Sequence, residues 1–153
     1  MTERIKAGTN EGKFAEIMRQ KAPEVTLNGK RRFTFGEVSI SVDQSLEYNG
    51  IRYLIEIDSQ NIAKLLVGQY VLLNHLYDQE KEKALFLVVH AYKNYEPHRT
   101  IKNLQVINQI LYSDKGIPFG AIHLSMLDKW EGGFSSFNKL IMRPEQKTQI
   151  ETL

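Results

Sequence analysis

The segment from residue 43 to residue 58 holds acidic residues whose spacing favours metal chemistry. Asp43 precedes the dipeptide Asn49-Gly50, and Glu56 and Asp58 follow it. Asn-Gly is the strongest short hairpin signal, because both residues tolerate the positive φ of a type I′ turn. A hairpin turning there brings Asp43 beside Glu56 on adjacent strands. The pleat of the second strand then points Asp58 to the same face as Glu56.

Carboxylates that converge at the end of a sheet repel one another unless a cation neutralises them. The side-chain oxygens of Asp43 and Glu56, together with the backbone carbonyl of Ile57, are hard ligands that suit Mg²⁺ or Mn²⁺. A metal there would activate water and stabilise the charge on a phosphate under attack. The alternative is a solvated face, since an antiparallel hairpin with one wet side also alternates polar and apolar residues. Both interpretations stay open from this segment alone.

Hydrophobic periodicity predicts the elements that would position these residues. We expect helices and strands in the order α-β-β-β-α-β-α-β, with hairpin turns at Asn28-Gly29 and Asn49-Gly50. The fold class is therefore α/β with a mixed sheet, in which a three-stranded antiparallel meander is followed by strand-helix-strand. The expected helices are 12–22, 61–77 and 100–112, and the expected strands are 24–28, 32–43, 46–58, 84–91 and 119–124.

Length and composition limit the remaining possibilities. The chain has 153 residues, 42% of them hydrophobic and 25% charged, which predicts one globular domain over 1–153. We expect its core at about 12–125 and a partly irregular C-terminal extension at 126–153, with the last few residues disordered. The absence of cysteine excludes disulfides, thiolate zinc sites and cysteine nucleophiles. No apolar run suits a signal peptide or a bilayer span, so we expect a cytoplasmic protein.

The sequence VDQSLEYNGIRYLIEID resembles the core of the PD-(D/E)xK nuclease superfamily, which has the restriction-endonuclease-like fold. In that family an acid precedes a hairpin whose second strand carries an acid, any residue, and usually lysine. Asp43 matches the first acid and Glu56 the second, and the order of elements over about 12–125 is similar. The resemblance implies Mg²⁺- or Mn²⁺-dependent hydrolysis of DNA phosphodiester bonds. It also implies that a glutamate of the first helix, here Glu16, joins the metal ligands.

The sequence departs from the family at Asp58, which stands where lysine is usual. Acidic replacements occur in active members, so the resemblance implies that Asp58 binds a second cation or orients the attacking water. Lys64, in the first turn of the next helix, is a candidate relocated lysine; its alternative is a solvated surface lysine. Gln69 lies in the apolar stripe of that helix, and one branch of the family has a glutamine there. It either braces a metal ligand, contacts a phosphate, or bonds only to a backbone group.

The charge distribution suggests where a polyanion would bind. The net charge is only +2, but residues 1–35 carry eight Lys and Arg against four Glu. Basic side chains there and before the third predicted helix are candidates for contacts with the DNA backbone, although ordinary surface charge explains them equally well. These candidates are Lys13, Lys30, Arg31, Arg32, His98, Arg99 and Lys102. His90 and His123 lie in apolar strands, and we expect them to be hydrogen-bonded core residues.

Three functions are consistent with these patterns. The first is a metal-dependent DNA endonuclease that acts as a nicking or partner-dependent subunit. Because the chain contains little beyond the core, recognition of DNA would need a homodimer or a larger partner subunit. The second is a catalytically inactive protein of the same fold that binds nucleic acid or a protein partner. The third is an unrelated α/β binding module whose hairpin resembles the motif by coincidence.

Overall fold

The computed structural model describes residues 8–145, which form a mixed α/β structure with four helices and six strands. The helices are α1 (Thr9–Lys21), α2 (Ala63–Leu76), α3 (Pro97–Tyr112) and α4 (Phe134–Leu140). The strands are β1 (Arg31–Phe35), β2 (Val38–Val42), β3 (Gln44–Tyr48), β4 (Ile51–Asp58), β5 (Ala84–His90) and β6 (Phe119–His123).

The main sheet has the strand order β3-β4-β5-β6. β3 and β4 form an antiparallel hairpin, whereas β4, β5 and β6 run parallel. The predicted turn at Asn49-Gly50 is confirmed, with φ of 51° and 77° at the two residues. Every residue of β5 is buried, as expected for a central parallel strand. The parallel strands end at one edge, where Asp58 is in register with His90, and His90 with His123.

Hydrophobic cores cover both faces of the main sheet. Alternate residues of β4 point to opposite faces, so Ile55 belongs to one core and Leu54 to the other. The first core contains Phe14 of α1 and Phe134 of α4. The second contains side chains of α2, α3, β1 and β2. Helices on both faces therefore leave the ends of the strands as the places where polar groups gather.

The predicted strand 32–43 is wrong, because Gly36 (φ 59°) turns the chain between β1 and β2. These two strands form a separate antiparallel sheet, the β1–β2 ribbon, which packs on α2. No hairpin forms at Asn28-Gly29, and 24–28 is not a strand. The Asn28 N–H instead donates to the Ser45 carbonyl, 2.8 Å away. The predicted three-stranded meander is thus replaced by a two-stranded ribbon beside a mixed four-stranded sheet.

The segment after residue 125 contains more regular structure than its sequence suggests. Gly132 and Gly133 have positive φ and form the predicted loop, but α4 follows directly. The helix forms because Phe134 and Phe137 are buried against the sheet, with 1% and 0% exposure. The predicted disorder of the last few residues falls outside the described residues.

None of the helices in the described part of the chain combines the length and hydropathy needed to cross a bilayer.

Candidate functional site

Asp43 lies at the bend where the chain passes from the β1–β2 ribbon into the main sheet. β3 begins at the next residue, with Gln44 in register with Ile55, so Asp43 stands opposite Glu56. The Oδ2 atom of Asp43 accepts a hydrogen bond of 2.8 Å from the Ile57 N–H. Because β3 starts only at Gln44, the Asp43 side chain supplies the acceptor that a strand backbone would otherwise give to the Ile57 N–H, and this bond fixes the carboxylate beside β4.

Glu56 points toward α2, where Gln69 holds it. The Nε2 atom of Gln69 donates to Glu56 Oε2 at 2.7 Å and to the Ser41 carbonyl at 3.3 Å. Of the contacts considered for Gln69 from the sequence, the structure shows two, one to a carboxylate and one to a backbone carbonyl. It joins α2, β4 and the β1–β2 ribbon at the position of the acids.

The electrostatics of the site are dominated by the cost of charging Glu56. Burial raises its pKa to about 8, and the negative charge of Asp43 acts in the same direction. The hydrogen bond from Gln69 opposes this shift, because it stabilises the ionised form. In the absence of a cation, Glu56 therefore holds a proton at neutral pH.

The carboxylate that α1 brings to this site belongs to Glu11. Burial and the charge of Asp43 raise the pKa of Glu11, and Glu11 in turn raises the pKa of Glu56. The placement of Glu16 in the site is wrong: its carboxylate lies 3.7 Å from Arg19 and accepts a hydrogen bond from Gln20. Both glutamates are exposed, but Glu11 lies in line with the buried residues of α1, whereas Glu16 does not.

The Ile57 carbonyl is directed toward Asp43 by strand geometry. The N–H and C=O of a strand residue point to the same side of the strand, and the Ile57 N–H points at Asp43. The Asp58 carbonyl, one residue on, accepts from the Ala91 N–H on the β5 side. The carbonyl that was predicted to complete a metal site therefore opens on the same side as the Asp43 carboxylate.

Asp58 is engaged away from the other acids. Its Oδ2 atom lies 3.3 Å from His90 Nδ1, and its Oδ1 atom accepts from the Gln60 N–H. His90 is fully buried, and its Nε2 atom is 2.8 Å from Thr100 Oγ1. Thr100 Oγ1 is in turn 2.9 Å from the Tyr95 hydroxyl. His90 is a hydrogen-bonded core residue, as predicted; His123 is also hydrogen-bonded, with its Nε2 2.8 Å from the Tyr92 carbonyl, but it is only partly buried.

Lys30 is a cation whose charge acts on Glu11. The β1–β2 register pairs Arg31 with Val42, so one step further places Lys30 opposite Asp43. Its positive charge opposes the upward shift of the Glu11 pKa. Lys64, the predicted substitute for the missing lysine, instead lines a cavity beside α3.

The other predicted basic contacts lie on several different elements. Arg99 and Lys102 line the same cavity as Lys64, whereas His98 does not line it. Arg31 packs over the Phe33 ring, with its guanidinium carbon 5.1 Å from the ring centroid. Lys13 and Arg32 are exposed on α1 and β1.

The donor set near Asp43 is small. Within residues 8–145, no group of three or more His, Asp or Glu side chains is arranged as a metal site. Glu11 and Glu56 each interact with Asp43, and the charge of Glu11 also acts on Glu56. Mg²⁺ is usually held by one or two carboxylates and keeps several waters, so Asp43, Glu56 and the Ile57 carbonyl are sufficient in kind.

Comparisons with known proteins give little further information. No protein-family model and no curated protein matches the chain. Among solved structures, the chain is similar to AF1548, a protein of unknown function, with a TM-score of 0.41 and 13% sequence identity. The similarity covers 80% of this chain and 60% of AF1548.

Proposed function

We propose that this chain is a metal-dependent nuclease of the PD-(D/E)xK type that hydrolyses phosphodiester bonds in DNA. The observation that carries the proposal is the pairing of Asp43 with Glu56, in which burial and the charge of Asp43 raise the pKa of Glu56 to about 8. Paired acids whose ionisation is made unfavourable by burial and by each other are typical of functional sites. A divalent cation between them removes the cost, because it favours the ionised form of both.

The residues present fit Mg²⁺ or Mn²⁺. Asp43 and Glu56 would hold the ion, the Ile57 carbonyl would complete the protein ligands, and water and a phosphate oxygen would fill the remaining positions. Such an ion supplies activation of water and stabilisation of charge on the phosphate. The chain's own part is to hold both carboxylates in place, through the Ile57 N–H for Asp43 and the Gln69 amide for Glu56.

Lys30 takes the role that the usual motif lysine would have. Continuing the β1–β2 register by one residue aligns it with Asp43, and its charge acts on Glu11. A cation there stabilises the negative charge that builds on the phosphate oxygens. We assign Asp58 no part in this step, because its carboxylate lies against His90 and accepts a hydrogen bond from the Gln60 N–H.

The order of the main-sheet elements supports a restriction-endonuclease-like core. An antiparallel hairpin of β3 and β4 leads into α2, parallel β5, α3 and parallel β6. The β1–β2 ribbon is then an addition before the hairpin. A single active site cuts one strand, so we propose that the chain nicks DNA or cuts both strands with a second copy or a larger partner subunit.

A second candidate function is an inactive member of the same fold that binds nucleic acid. The observation that favours it is Asp58, which replaces the usual lysine and is turned toward His90. In that case Asp43 and Glu56 would be remnants of a lost centre. Nucleic-acid binding would then persist without cleavage.

Nicking of supercoiled plasmid in Mg²⁺ or Mn²⁺ tests the proposal. We expect the wild-type chain to produce open circles, and Glu56→Gln to reduce the rate by at least about 100-fold, since the loss of a metal ligand removes several kcal/mol of transition-state stabilisation. Glu16→Gln is the matched control, because Glu16 is 60% exposed and lies outside the site. DNA binding without cleavage on any DNA form, with or without a partner, would support the inactive alternative.

A further inference from the structure

A basic cavity of about 470 Å³ lies between the start of α2 and the start of α3. It is lined from one side by residues 61–64 and from the other by Arg99, Lys102 and Asn103. Three of the lining residues are cationic, namely Lys64, Arg99 and Lys102, and none is acidic. Within the described residues, no carboxylate forms an ion pair with any of the three. The cavity is therefore suited to an anion.

Arg99 is held in place by contacts that need no ligand. Its Nη1 atom donates to Asn61 Oδ1 at 2.9 Å, and its guanidinium carbon lies 5.0 Å from the Tyr95 ring centroid. An arginine stacked on an aromatic ring loses less conformational freedom when it binds a phosphate than a free side chain does. Lys64 and Lys102 are exposed and add charge at the rim.

The support beneath Arg99 is rigid and buried. Tyr95 is only 4% exposed and stacks on His90 at a centroid distance of 3.9 Å. Thr100, fully buried, bonds to both rings through its hydroxyl. Arg99 thus rests on a hydrogen-bonded group of Tyr95, Thr100 and His90, and His90 lies 3.3 Å from Asp58 at the end of β4.

The cavity lies close to the proposed active site along the chain. Glu56 and Asn61 are five residues apart, so about 17 Å separates them at most. With a rise of about 3.4 Å per nucleotide, a phosphate in the cavity would be within about five nucleotides of one beside Glu56. A larger cavity of about 540 Å³ lies at the opposite end of β4, but Glu47 and Glu80 line it together with basic residues.

We propose that the cavity lined by Lys64, Arg99 and Lys102 is a subsite for a backbone phosphate of the bound nucleic acid. This inference rests on the proposed function, since it takes nucleic acid as the substrate. Arg99 makes the fixed contact, and the two lysines add attraction that does not depend on base sequence. The subsite holds the strand in register while a neighbouring phosphate lies beside Asp43 and Glu56.

The salt dependence of DNA binding tests the subsite. Binding of a fluorescein-labelled DNA duplex is measured by anisotropy in EDTA, at several salt concentrations, so that no cleavage is needed. Each lost phosphate contact lowers the slope of log K against log salt by about 0.9. We expect this decrease for Arg99→Ala and for Lys102→Ala, and no decrease for the matched control Lys115→Ala, an exposed lysine beyond the other end of α3.

Lys102→Ala keeps the test informative if Arg99→Ala disturbs the stack on Tyr95. Slopes equal to the wild type for both variants would overturn the subsite, even if the wild type cleaves DNA. If both variants lowered the slope as expected but the wild type cleaved no DNA, the subsite would be supported and the nuclease proposal would be overturned. Absence of DNA binding by the wild type would overturn both. If inorganic phosphate raised the Tm of the wild type while neither variant changed the slope, the cavity would be a site for small anions instead.

Discussion

Replacing Glu56 with glutamine should make the protein more stable at alkaline pH. The substitution keeps the size of the side chain and an oxygen that accepts the hydrogen bond from Gln69. It removes an acid that burial and Asp43 hold in its protonated form until about pH 8. In the wild type, deprotonation of Glu56 lowers the free energy of unfolding as the pH rises. The variant has no such group to deprotonate and does not show this loss.

The size of the effect follows from the pKa of Glu56, which is about 8 in the folded chain against an ordinary 4.5. Between these values the folded state binds a proton that the unfolded state has released. The free energy of unfolding therefore falls as pH rises through this range. From pH 5 to pH 8 the loss is about 3 kcal/mol, which lowers the Tm of a chain this size by about 6–12 °C.

The assay is thermal unfolding of both proteins from pH 5 to pH 8.5, in EDTA so that no divalent cation is bound. We expect the two Tm curves to meet near pH 5 and to separate as pH rises, with Glu56→Gln the more stable. Glu16→Gln serves as the control and should follow the wild type, because Glu16 is exposed. Parallel curves for the wild type and Glu56→Gln would refute the reasoning.

Two further predictions concern side chains that support the site. Gln69→Leu removes the hydrogen bond that lowers the Glu56 pKa, so the Tm should go on falling above pH 8, where the wild-type curve levels off. Thr100→Val leaves the His90 ring nitrogen and the Tyr95 hydroxyl without their shared partner. It should cost about 1–3 kcal/mol in urea unfolding; an unchanged midpoint would contradict the role assigned to this hydroxyl.

The pairing of the two main acids was predictable because one local signal determines it. Asn49-Gly50 fixes a two-residue turn, and the register of the hairpin then places Asp43 opposite Glu56. The central strand β5 was equally clear, since seven consecutive apolar or buried residues leave no solvated face. At Asn49-Gly50 and in β5, the local turn signal and the continuous hydrophobicity both survive tertiary packing.

The ribbon was missed because its turn contains a single glycine without a partner such as asparagine. Phe35-Gly36-Glu37 gives a weaker signal than Asn28-Gly29, although Gly36 is the residue that turns the chain between two strands. The position of Lys30 relative to Asp43 was not predicted for the same reason. Its alignment with Asp43 follows only when β1 and β2 are known to pair.

Glu11 carried a signal that helical geometry alone could have revealed. It stands three, four and seven residues before Phe14, Ala15 and Met18, which are the buried residues of α1. Glu11 is itself exposed, but its position in line with this stripe turns it toward the face of α1 that packs on the protein. The direction of Asp58 toward His90 had no comparable signal, because it depends on the register of two parallel strands far apart in sequence.

Binding of Mn²⁺, followed by isothermal titration calorimetry at pH 7.5, tests most directly whether Asp43 and Glu56 form a cation site. We expect one tight site per chain in the wild type, release of protons from Glu56 on binding, and loss of that site in Glu56→Gln but not in Glu16→Gln. Equal Mn²⁺ binding by the wild type and Glu56→Gln, or no binding by either, would contradict the assignment.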